Sequence, residues 1–594
     1  MEDPKTEYGW RLDRRRQTVS LLDNRHLQIG NLRLLTAIAF VLMAWLTYPW
    51  REGSAWLLGL PAVIFISLAV WHDRLLEKRA RARRAAAVYE RALARLAGDW
   101  AGKGETGERF LDPDHPYAQD LDLFGPGSLF ELLSTARTRS GEEMLARWLQ
   151  QPAQPEELAA RHQAIAELRE RLDLREDFAV LGEDVRSGVH PDRLLAWAEG
   201  APVLASRSLR AIGAALSFLM ASAAALWWWQ DLLTPLAASL AAVTAFGWRL
   251  RPAVLHVAAR AGDAAHDLGL LSEVLTRLEQ ERFTSPRLAG LRQALETGGL
   301  PPSRRIQALR RRVEWLDSRD NVILRVIGPP LLYTTHVAFT LEAWRVKNGP
   351  LVRQWLDAVG EFEALSSLAA YAYERPDDAF PEFVPGGEAV FEAGGLGHPL
   401  LPGDRMVRND LTLGRGAHLL LVSGSNMSGK STLLRSAGTA AVMAMAGAPV
   451  RAHRLRLSAL AIGASIRVSD SLQSGISRFY AEILRLKRIA DLASGSPPLL
   501  FLLDELLHGT NSHDRQIGAD ALLRRLVDGG AIGLATTHDL ALTQIVESLG
   551  ARAANVHFAD HFEEGEMRFD YRMQPGVVAK SNALALMRSI GLEV

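Results

Sequence analysis

Cysteine is absent from this 594-residue chain, and neither sign of charge prevails. Without cysteine the chain forms no disulfide, no thiolate zinc site and no cysteine nucleophile, which fits a reducing compartment. Lys and Arg together number 68, as do Asp and Glu, so the formal net charge is zero. The composition, with 48% hydrophobic and 23% charged residues, excludes a disordered chain, a collagen-like chain and a strongly basic nucleic-acid coat. The length predicts about four structural units.

Charge is also absent from four long hydrophobic runs, which form two closely spaced pairs. Residues 34–50 and 55–71 make the first pair, and residues 211–229 and 232–248 make the second. Each run has about 17–19 residues, at the short end of what crosses a bilayer as a helix, and Trp at the ends suits the membrane interface. Two transmembrane hairpins are therefore predicted. The alternative, two hairpins buried in a large soluble core, is disfavoured because soluble helices usually carry charge along one edge.

Arginine flanks both pairs and predicts their orientation. The positive-inside rule assigns both termini and the middle segment to the cytosol, because the loops between the runs hold only Arg51 as a cation. The predicted location is the cytoplasmic (inner) membrane, with multiple passes. The flanking cations include Arg11, Arg14, Arg15, Arg16, Arg25, Arg33, Arg74, Lys78, Arg79, Arg207, Arg210, Arg249 and Arg251.

Two arginine-rich stretches fit more than one role. Residues 74–95 have helical composition and suit contact with anionic headgroups, a solvated helix that sets topology, or contact with DNA. Residues 304–312 hold five arginines. Such a run is usually a solvated helix face, and contact with nucleic acid is the less favoured interpretation.

The region after the first hairpin carries a helical pattern. Ser128 is predicted to be an N-cap, with Glu131 at capping-box spacing. Helices are predicted over residues 141–149 and 156–172. Residues 322–344 are apolar but carry charges and a Pro-Pro pair, and are interpreted as a packed or membrane-adjacent helix pair, not a fifth span.

A phosphate-binding loop follows a short apolar strand in the last third of the chain. Residues 418–422 suit a buried parallel strand, residues 424–431 follow the pattern G-x-x-x-x-G-K-S, and residues 433–445 suit a helix. Glycines let backbone N–H groups turn toward phosphates, and the helix N-terminus adds a positive dipole end. Lys430 is predicted to reach the β- and γ-phosphates, and Ser431 to ligate Mg²⁺.

Two further strands end in residues suited to nucleotide hydrolysis. The strand at residues 499–503 is followed by Asp504, which is predicted to hold Mg²⁺ directly or through water, and by Glu505, which would orient or activate the attacking water. The run at residues 532–536 leads to His538. There a histidine senses the γ-phosphate or the attacking water; alone, it would be an ordinary loop residue.

These motifs resemble the MutS family. The loop GSNMSGKST, with Asn-Met inside it, looks like the MutS-type loop, and the likeness covers roughly residues 115–206 and 249–594. Other segments with the family's pattern are residues 128–152, 362–381, 397–399, 474–482, 504–514, 536–538 and 569–576, together with Lys580-Ser581.

The resemblance implies an ABC-superfamily ATPase that binds ATP and Mg²⁺ and works as a homodimer through its ATPase domains. Ser477 would then reach across the dimer to the partner's γ-phosphate, Asn426 would contact the terminal phosphate, and the helical region would act as a lever. The expected nucleotide-contacting residues are Gly424, Ser425, Asn426, Met427, Ser428, Gly429, Lys430, Ser431, Thr432 and Ser477, the expected catalytic residues Lys430, Glu505 and His538, and the expected metal ligands Ser431 and Asp504.

The chain departs from mismatch-reading members of that family. Those members insert the Phe of a Phe-x-Glu motif into DNA, whereas no Phe precedes Phe40, which lies in a predicted span. The second hairpin interrupts the helical core, no clear clamp insertion is found, and the chain ends at Val594, so no helix-turn-helix dimerisation tail and no nuclease-like extension are expected. Mismatch recognition is therefore not expected.

The predicted fold is an α/β ABC-type P-loop ATPase domain preceded by an all-α core with two transmembrane hairpins. Two functions are compatible with it: a membrane-anchored MutS-like ATPase that binds DNA near the membrane, or an ATP-driven switch acting on a protein partner. A transporter is rejected because the runs contain no charged residue to mark a substrate path. The predicted organisation is a cytosolic segment (1–33), hairpin 1 (34–71), helical core (72–206), hairpin 2 (207–249), core and lever (250–375) and the ATPase (376–594).

Overall fold

A computed structural model describes residues 3–47, 58–318, 321–425, 428–467, 478–507, 510–563 and 566–578. Helices fill the described part of the chain up to residue 374, and α/β structure follows. The helices of the first part are α1 (Pro4–Thr47), α2 (Gly59–Leu96), α3 (Leu129–Leu133), α4 (Arg139–Gln150), α5 (Pro155–Arg169), α6 (Leu172–Gly188), α7 (Pro191–Ala198), α8 (Arg207–Gln230), α9 (Leu233–Gln280), α10 (Pro286–Leu295), α11 (Pro302–Asp317), α12 (Val322–Ile327) and α13 (Tyr333–Glu374).

The second part contains two sheets and four helices within the described ranges. Its elements are β1 (Glu382–Phe383), β2 (Phe391–Leu396), β3 (Asn409–Leu413), β4 (Leu419–Ser423), α14 (Lys430–Ala446), β5 (Arg454–Leu457), β6 (Ala461–Ser465), α15 (Arg478–Leu492), β7 (Leu499–Leu503), α16 (Ser512–Asp528), β8 (Ile532–Thr537), α17 (Ile545–Leu549), β9 (Ala553–Glu563) and β10 (Glu566–Pro575).

Hairpin 1 is longer than its apolar runs because α1 and α2 both continue into the helical core. The two helices pack against each other along their length, and their polar halves meet α13 at a cluster of Tyr8, Tyr89 and Tyr373. The Tyr89 hydroxyl donates to Glu176 over 2.5 Å, and Arg95 pairs with Glu374 at 2.5 Å. The hairpin is thereby docked on the core through its polar half.

The arginine-rich stretch of α2 is largely occupied by these contacts. Arg79 and Arg83 pair with Asp23 of α1, Arg81 lies 3.0 Å from Glu273, and Arg84 lies 2.5 Å from Asp184. The stretch is therefore a packed helix rather than a freely solvated one. The sequence alone did not distinguish the alternatives for residues 74–95, because the carboxylates that pair with these arginines lie far away along the chain.

Hairpin 2 consists of α8 and the first half of α9. The 48-residue α9 crosses the predicted boundary at residue 249 without ending there, although Pro252 lies inside it. Its second half enters the main hydrophobic core beside α13, the 42-residue helix whose C-terminal half is buried nearly all round. The hairpin and the helical core thus share a continuous element.

The segment predicted as a membrane-adjacent helix pair lies against hairpin 2. The short α12 exposes Ile323 and Val326, and the turn after it contacts α8 through a 2.9 Å hydrogen bond from the Ser217 hydroxyl to the Leu331 carbonyl. Leu332 packs with apolar residues of α8 and α9. Only the second member of the pair, α13, is a long helix.

Four helices are long and apolar enough to cross a membrane, judged by length and composition alone. They contain apolar windows of which 6%, 22%, 17% and 17% is buried within the protein, in chain order. The described parts of the runs are therefore not core helices, in contrast to the soluble alternative. The four helices are Pro4–Trp45, Gly59–Leu96, Arg207–Gln230 and Leu233–Gln280.

The predicted N-cap of the helical core is confirmed. The Ser128 hydroxyl accepts from the Glu131 backbone N–H at 3.3 Å, at the start of α3. The Glu131 carboxylate does not complete the capping box on Ser128, because it accepts instead from the backbone N–H groups of Gly127 (2.7 Å) and Gly104 (2.8 Å). It therefore ties the preceding linker to the helix.

A six-stranded sheet brings the loops that carry the predicted site residues to one edge. Its order is β10-β9-β4-β8-β7-β6, in which β4, β6, β7, β8 and β9 run parallel and β10 is antiparallel to β9. Strands β4, β7 and β8 are fully buried, as their apolar runs predict. The loops that follow these three neighbouring strands meet at their carboxyl ends. A smaller sheet, β1-β5-β2-β3, lies before it in the chain.

Candidate nucleotide-binding site

The loop between β4 and α14 has the backbone form that phosphate binding requires. Strand β4 ends at Ser423 and α14 begins at Lys430, one residue beyond the predicted strand and three before the predicted helix start. Gly429 has φ +107°, in the left-handed region where only glycine is unstrained. A Cβ on Gly429 would lie 3.2 Å from the Tyr571 ring. Glycine is thus needed both for the backbone and for the space.

Lys430 is buried and points back into the loop. Its Nζ donates to the carbonyl oxygens of Gly424 (2.9 Å) and Ser425 (2.7 Å). Burial lowers the pKa of Lys430 to about 8, although Asp504 and Glu505 oppose the shift. The Ser425 hydroxyl is buried and has no hydrogen-bond partner among the described residues. A lysine held only by carbonyls beside an unsatisfied hydroxyl fits a phosphate group well.

The acidic strand end is held by the neighbouring strand. Asp504 follows β7, and its backbone N–H donates to the Ser465 carbonyl at 2.9 Å. The Thr536 hydroxyl of β8 donates to the Asp504 carboxylate and accepts from the Glu505 backbone N–H at 3.0 Å. Thr536 therefore fixes both acidic residues relative to the sheet. The family pattern at residues 536–538 includes Thr536, but this role was not predicted, because the sequence does not show that its hydroxyl lies beside the end of β7.

Glu505 and His538 form a pair, as expected for residues that act together. His538 Nε2 lies 2.6 Å from Glu505 Oε1, and both side chains are partly exposed. Glu505 has φ +50° and Leu507 φ +54°, which is unusual for residues with side chains and costs about 1–2 kcal/mol each. The Leu507 backbone N–H donates to the buried Glu482 carboxylate of α15 at 2.6 Å. This contact holds the strained turn in place.

The remaining predicted residues divide into described and undescribed ones. Ser428 is buried, and its hydroxyl donates to the Ser425 carbonyl at 2.8 Å. Ser431 is half-buried and Thr432 exposed in the first turn of α14. The predicted contacts of Asn426, Met427 and Ser477 lie outside the described residues, as does Lys580-Ser581.

Tyr571 belongs to the site although it was not among the predicted site residues. Its ring lies beside the loop at Gly429, and the residue is 42% exposed. Strand β10 bulges at this point, and Asn409 holds the bulge by donating to the Tyr571 carbonyl (3.0 Å) and accepting from the Met573 backbone N–H (2.7 Å). Sequence pattern alone does not reveal a bulge that turns an aromatic residue toward a distant loop.

The helical core contacts both ends of this site. At the far end of α14, the buried Arg161 donates to the Ala446 carbonyl at 2.9 Å and stacks on Trp148 at 3.7 Å. A positive side chain at a helix C-terminus is stabilising. Near the site, the buried Asp120 accepts from the backbone N–H groups of Ile466 and Arg467, each at 2.7 Å.

A second acidic residue of the same turn bridges two parts of the C-terminal α/β region. Asp122 pairs with Arg435 of α14 and with Arg467, each at 2.5 Å. Asp120 also pairs with Arg485 of α15 at 2.5 Å. One short turn of the helical part therefore contacts the helix that follows the loop and the helix that follows residues 468–477.

Comparison with known proteins agrees with this geometry. The family model described as MutS domain V matches residues 420–593. A DNA mismatch repair protein MutS of Geobacillus thermodenitrificans is 31% identical over 251 residues, 41% of this chain and 27% of the relative. The C-terminal part of this chain is therefore similar to domain V of the MutS family. An Endonuclease MutS2 of Thermus thermophilus is 30% identical over 337 residues, which cover 53% of this chain and 41% of the relative.

The matches to MutS proteins cover only part of this chain and only part of each relative. An Arabidopsis thaliana DNA mismatch repair protein MSH6 is 31% identical over 258 residues, 40% of this chain but 19% of the relative. The chain spans between 19% and 41% of the length of these three relatives. The similarity to MutS proteins therefore lies in the C-terminal α/β part and in a share of the helical core.

Proposed function

We propose that this chain is a membrane-anchored MutS-like ATPase that uses ATP binding and hydrolysis to move its helical core. The observation that carries the proposal is the meeting of Lys430, the Asp504-Glu505 strand end and His538 at the carboxyl ends of three adjacent buried strands. Lys430 and Glu505 are near enough for Glu505 to influence the lysine's pKa, and Glu505 contacts His538.

The chemistry divides among these residues. Lys430 would hold the β- and γ-phosphates, with the Ser425 hydroxyl as a further donor. Ser431 and Asp504 offer the oxygen ligands that Mg²⁺ prefers, and the ion would neutralise phosphate charge when bound. Glu505 would take up the proton of the attacking water, and His538 would orient its carboxylate. The Tyr571 ring would stack on the base.

Movement would pass through the contacts at both ends of α14. Asp122 holds Arg435 near the loop, and Arg161 of the helical core holds the last turn of the same helix. Because α14 begins at the phosphate-binding loop, a shift in the loop moves a helix that the core grips at two points. Homodimer formation through the ATPase region, with Ser477 reaching the partner's nucleotide, is part of the proposal by family resemblance.

The membrane role rests on the exposed apolar windows and their arginine flanks. At most 22% of each described window is buried within the protein, and soluble proteins rarely expose apolar surface of this extent. The ATPase would face the cytosol beneath a multi-pass inner-membrane anchor.

The proposed ATPase has two candidate partners, and the first is DNA. Residues 304, 310 and 311 are arginines that line one open cleft of α11 facing α9, together with Glu314. By contrast, Arg305 of the same run is buried and donates to Asn348 at 2.9 Å. A cluster of exposed arginines suits phosphate contacts. The alternative is a protein partner with no DNA role, which shares every catalytic residue.

One experiment tests both levels of the proposal. The full chain, purified in detergent, is assayed for ATP hydrolysis without DNA and with homoduplex, mismatched and branched DNA at low salt. Hydrolysis that depends on Lys430 is expected, and persistent hydrolysis in Lys430→Ala would overturn the assigned site. DNA binding that weakens in Arg304→Ala/Arg310→Ala/Arg311→Ala supports the DNA version. Its absence at low salt, where phosphate contacts are strongest, leaves the protein-partner version.

A further inference from the structure

A polar cavity lies where hairpin 1 meets the helical core. It has a volume of about 580 Å³ and is bounded by α2, the linker after it, the N-terminus of α4 and α6. It is separate from the nucleotide site, and neither the catalytic geometry nor the membrane anchor uses it. Its charged and polar lining residues are the cations Arg91, Arg95, Lys103, Arg137 and Arg186, the carboxylates Glu90, Glu105, Glu131 and Glu183, and Ser134.

Three buried donors in this lining are unsatisfied. The Nε atoms of Arg91 and Arg137 and the hydroxyl of Ser134 are buried and have no hydrogen-bond partner among the described residues. Buried polar groups are almost always paired, and an unpaired one is destabilising. Three in one cavity indicate a ligand that accepts hydrogen bonds.

The other cations of the cavity already have carboxylate partners. Arg95 pairs with Glu374 at 2.5 Å, Lys103 pairs with Asp99, and Arg186 pairs with Glu105 and lies 3.4 Å from Glu142. These pairs are neutral overall. Of the other carboxylates in the lining, Glu90 pairs with Arg16, and Glu131 accepts from the backbone N–H groups of Gly104 and Gly127. The two arginines Arg91 and Arg137 therefore face the single carboxylate of Glu183.

Arg137 lacks a partner of this quality. The Glu183 carboxylate lies 3.8 Å from the Arg137 Nε, beyond hydrogen-bond distance, and the Glu363 carboxylate accepts from the Arg137 backbone N–H at 3.0 Å. Burial lowers the pKa of Arg137, and Arg186 lowers it further while Glu183 raises it. An anion between Arg137 and Arg91 would relieve this burial cost, because it would replace lost solvation with charge-assisted hydrogen bonds.

We propose that the cavity binds a small phosphate-bearing anion, held by the guanidinium groups of Arg91 and Arg137 and by the Ser134 hydroxyl. Two guanidinium groups and one hydroxyl match the several acceptor oxygens of a phosphate group, and the volume admits a phosphorylated small molecule or a lipid headgroup. The ligand would join α2 of hairpin 1 to α4. It would thereby set how firmly the hairpin is attached to the core.

The test is ligand binding by the full chain in a neutral detergent, measured by calorimetry. The probes are inorganic phosphate, glycerol 3-phosphate, a short-chain phosphatidic acid and, as a neutral-headgroup control, a short-chain phosphatidylcholine. All titrations are repeated in Lys430→Ala, in which the nucleotide loop is impaired. Binding that persists in Lys430→Ala belongs to the cavity. The cavity proposal can therefore fail while the proposed ATPase function holds, and the ATPase function can fail while the cavity proposal holds.

Substitution identifies the site. Arg91→Gln and Arg137→Gln should each weaken phosphate binding by about tenfold or more, the loss of one charge-assisted contact. Arg139→Gln is the matched control, because Arg139 is exposed on the same helix start, and it should bind as the wild type does. Melting temperatures without ligand verify that each variant folds. Hydrogen exchange should show protection of residues 87–95 and 134–137 on binding.

Each outcome decides the proposal. Binding of both inorganic phosphate and glycerol 3-phosphate indicates a soluble ligand. Selective binding of phosphatidic acid indicates a lipid headgroup. Either result supports a phosphate site. Failure of all three phosphate probes at millimolar concentration overturns it. Equal binding by wild type, Arg91→Gln and Arg137→Gln overturns it as well.

Discussion

Lys430 shows how one residue's surroundings prepare it for a charged ligand. It is almost fully buried, its ammonium donates only to loop carbonyls, and its pKa is lowered to about 8 from an ordinary value of 10.5. A charged lysine is tolerated there only at a cost, and the negative charge of a triphosphate would remove that cost. Binding and protonation at this residue are therefore linked.

ATP binding should take up a proton above about pH 8. Lys430 is partly neutral there in the free protein and would be charged in the complex, so affinity should fall by about tenfold at pH 9. Below about pH 7 the lysine is already charged, and its contribution to proton uptake disappears. Calorimetry in buffers of different ionisation enthalpy measures this uptake. Affinity that is flat from pH 7 to pH 9 would show that the empty loop does not hold the lysine as described.

Glu505 should be needed for hydrolysis and not for binding. Glu505→Gln keeps the shape of the side chain but cannot accept a proton, so turnover should fall by about 10²–10⁴ while nucleotide affinity is retained. Single-turnover hydrolysis and a fluorescent-nucleotide titration separate the two quantities. Glu547→Gln, an exposed change on α17, is the matched control. Wild-type turnover in Glu505→Gln would remove the carboxylate from the reaction.

At the scale of single elements, α12 is the clearest case of an apolar helix whose apolar side chains are exposed. Val326 and Ile323 are 72% and 66% exposed, yet the next turn packs against α8 and α9 of hairpin 2. An apolar helix of this kind beside a membrane hairpin would lie at the interface of the bilayer.

The absence of cysteine makes α12 directly testable. A single Val326→Cys labelled with a polarity-sensitive dye should shift to the blue on reconstitution into liposomes, because the label enters the interface. Ile517→Cys on α16 is the matched control, since Ile517 is also apolar and 58% exposed but belongs to the ATPase region. Equal spectra for the two labels would mean that α12 faces water.

How much the sequence could predict varies with the range of the interaction. Strand β7 and the Ser128 cap were predicted residue by residue, because strand periodicity and capping are local. Three long-range contacts were not predicted: the ion pair of Arg84 with Asp184, the hydrogen bond from Asn409 to the Tyr571 carbonyl, and the hydrogen bond from the Glu505 backbone N–H to the Thr536 hydroxyl. Each joins elements far apart in the chain, and no spacing rule relates them.

At the scale of the whole molecule, topology is the property that most constrains function. Both hairpins should have their tips outside the cytoplasm and their arginine-rich ends inside. Gln230, at the end of α8, and Arg139, in the helical core, should therefore differ in access from outside.

Thiol labelling of intact cells tests this topology. Gln230→Cys should react with a membrane-impermeant reagent, whereas Arg139→Cys should react only after the membrane is opened. The cysteine-free parent gives the background. Labelling of both positions in intact cells would contradict the assigned orientation, and recovery of the chain in the soluble fraction would contradict the anchor itself.

The continuity of α2 has a mechanical consequence for communication across the membrane. From Tyr89, which is docked on the core, to its first residue, Gly59, the helix extends through about 30 residues, or about 45 Å. A tilt of only about 5° at the docked end would displace the other end by about 4 Å over that length. The outer end of hairpin 1 would then register the nucleotide state of a domain on the opposite side of the bilayer.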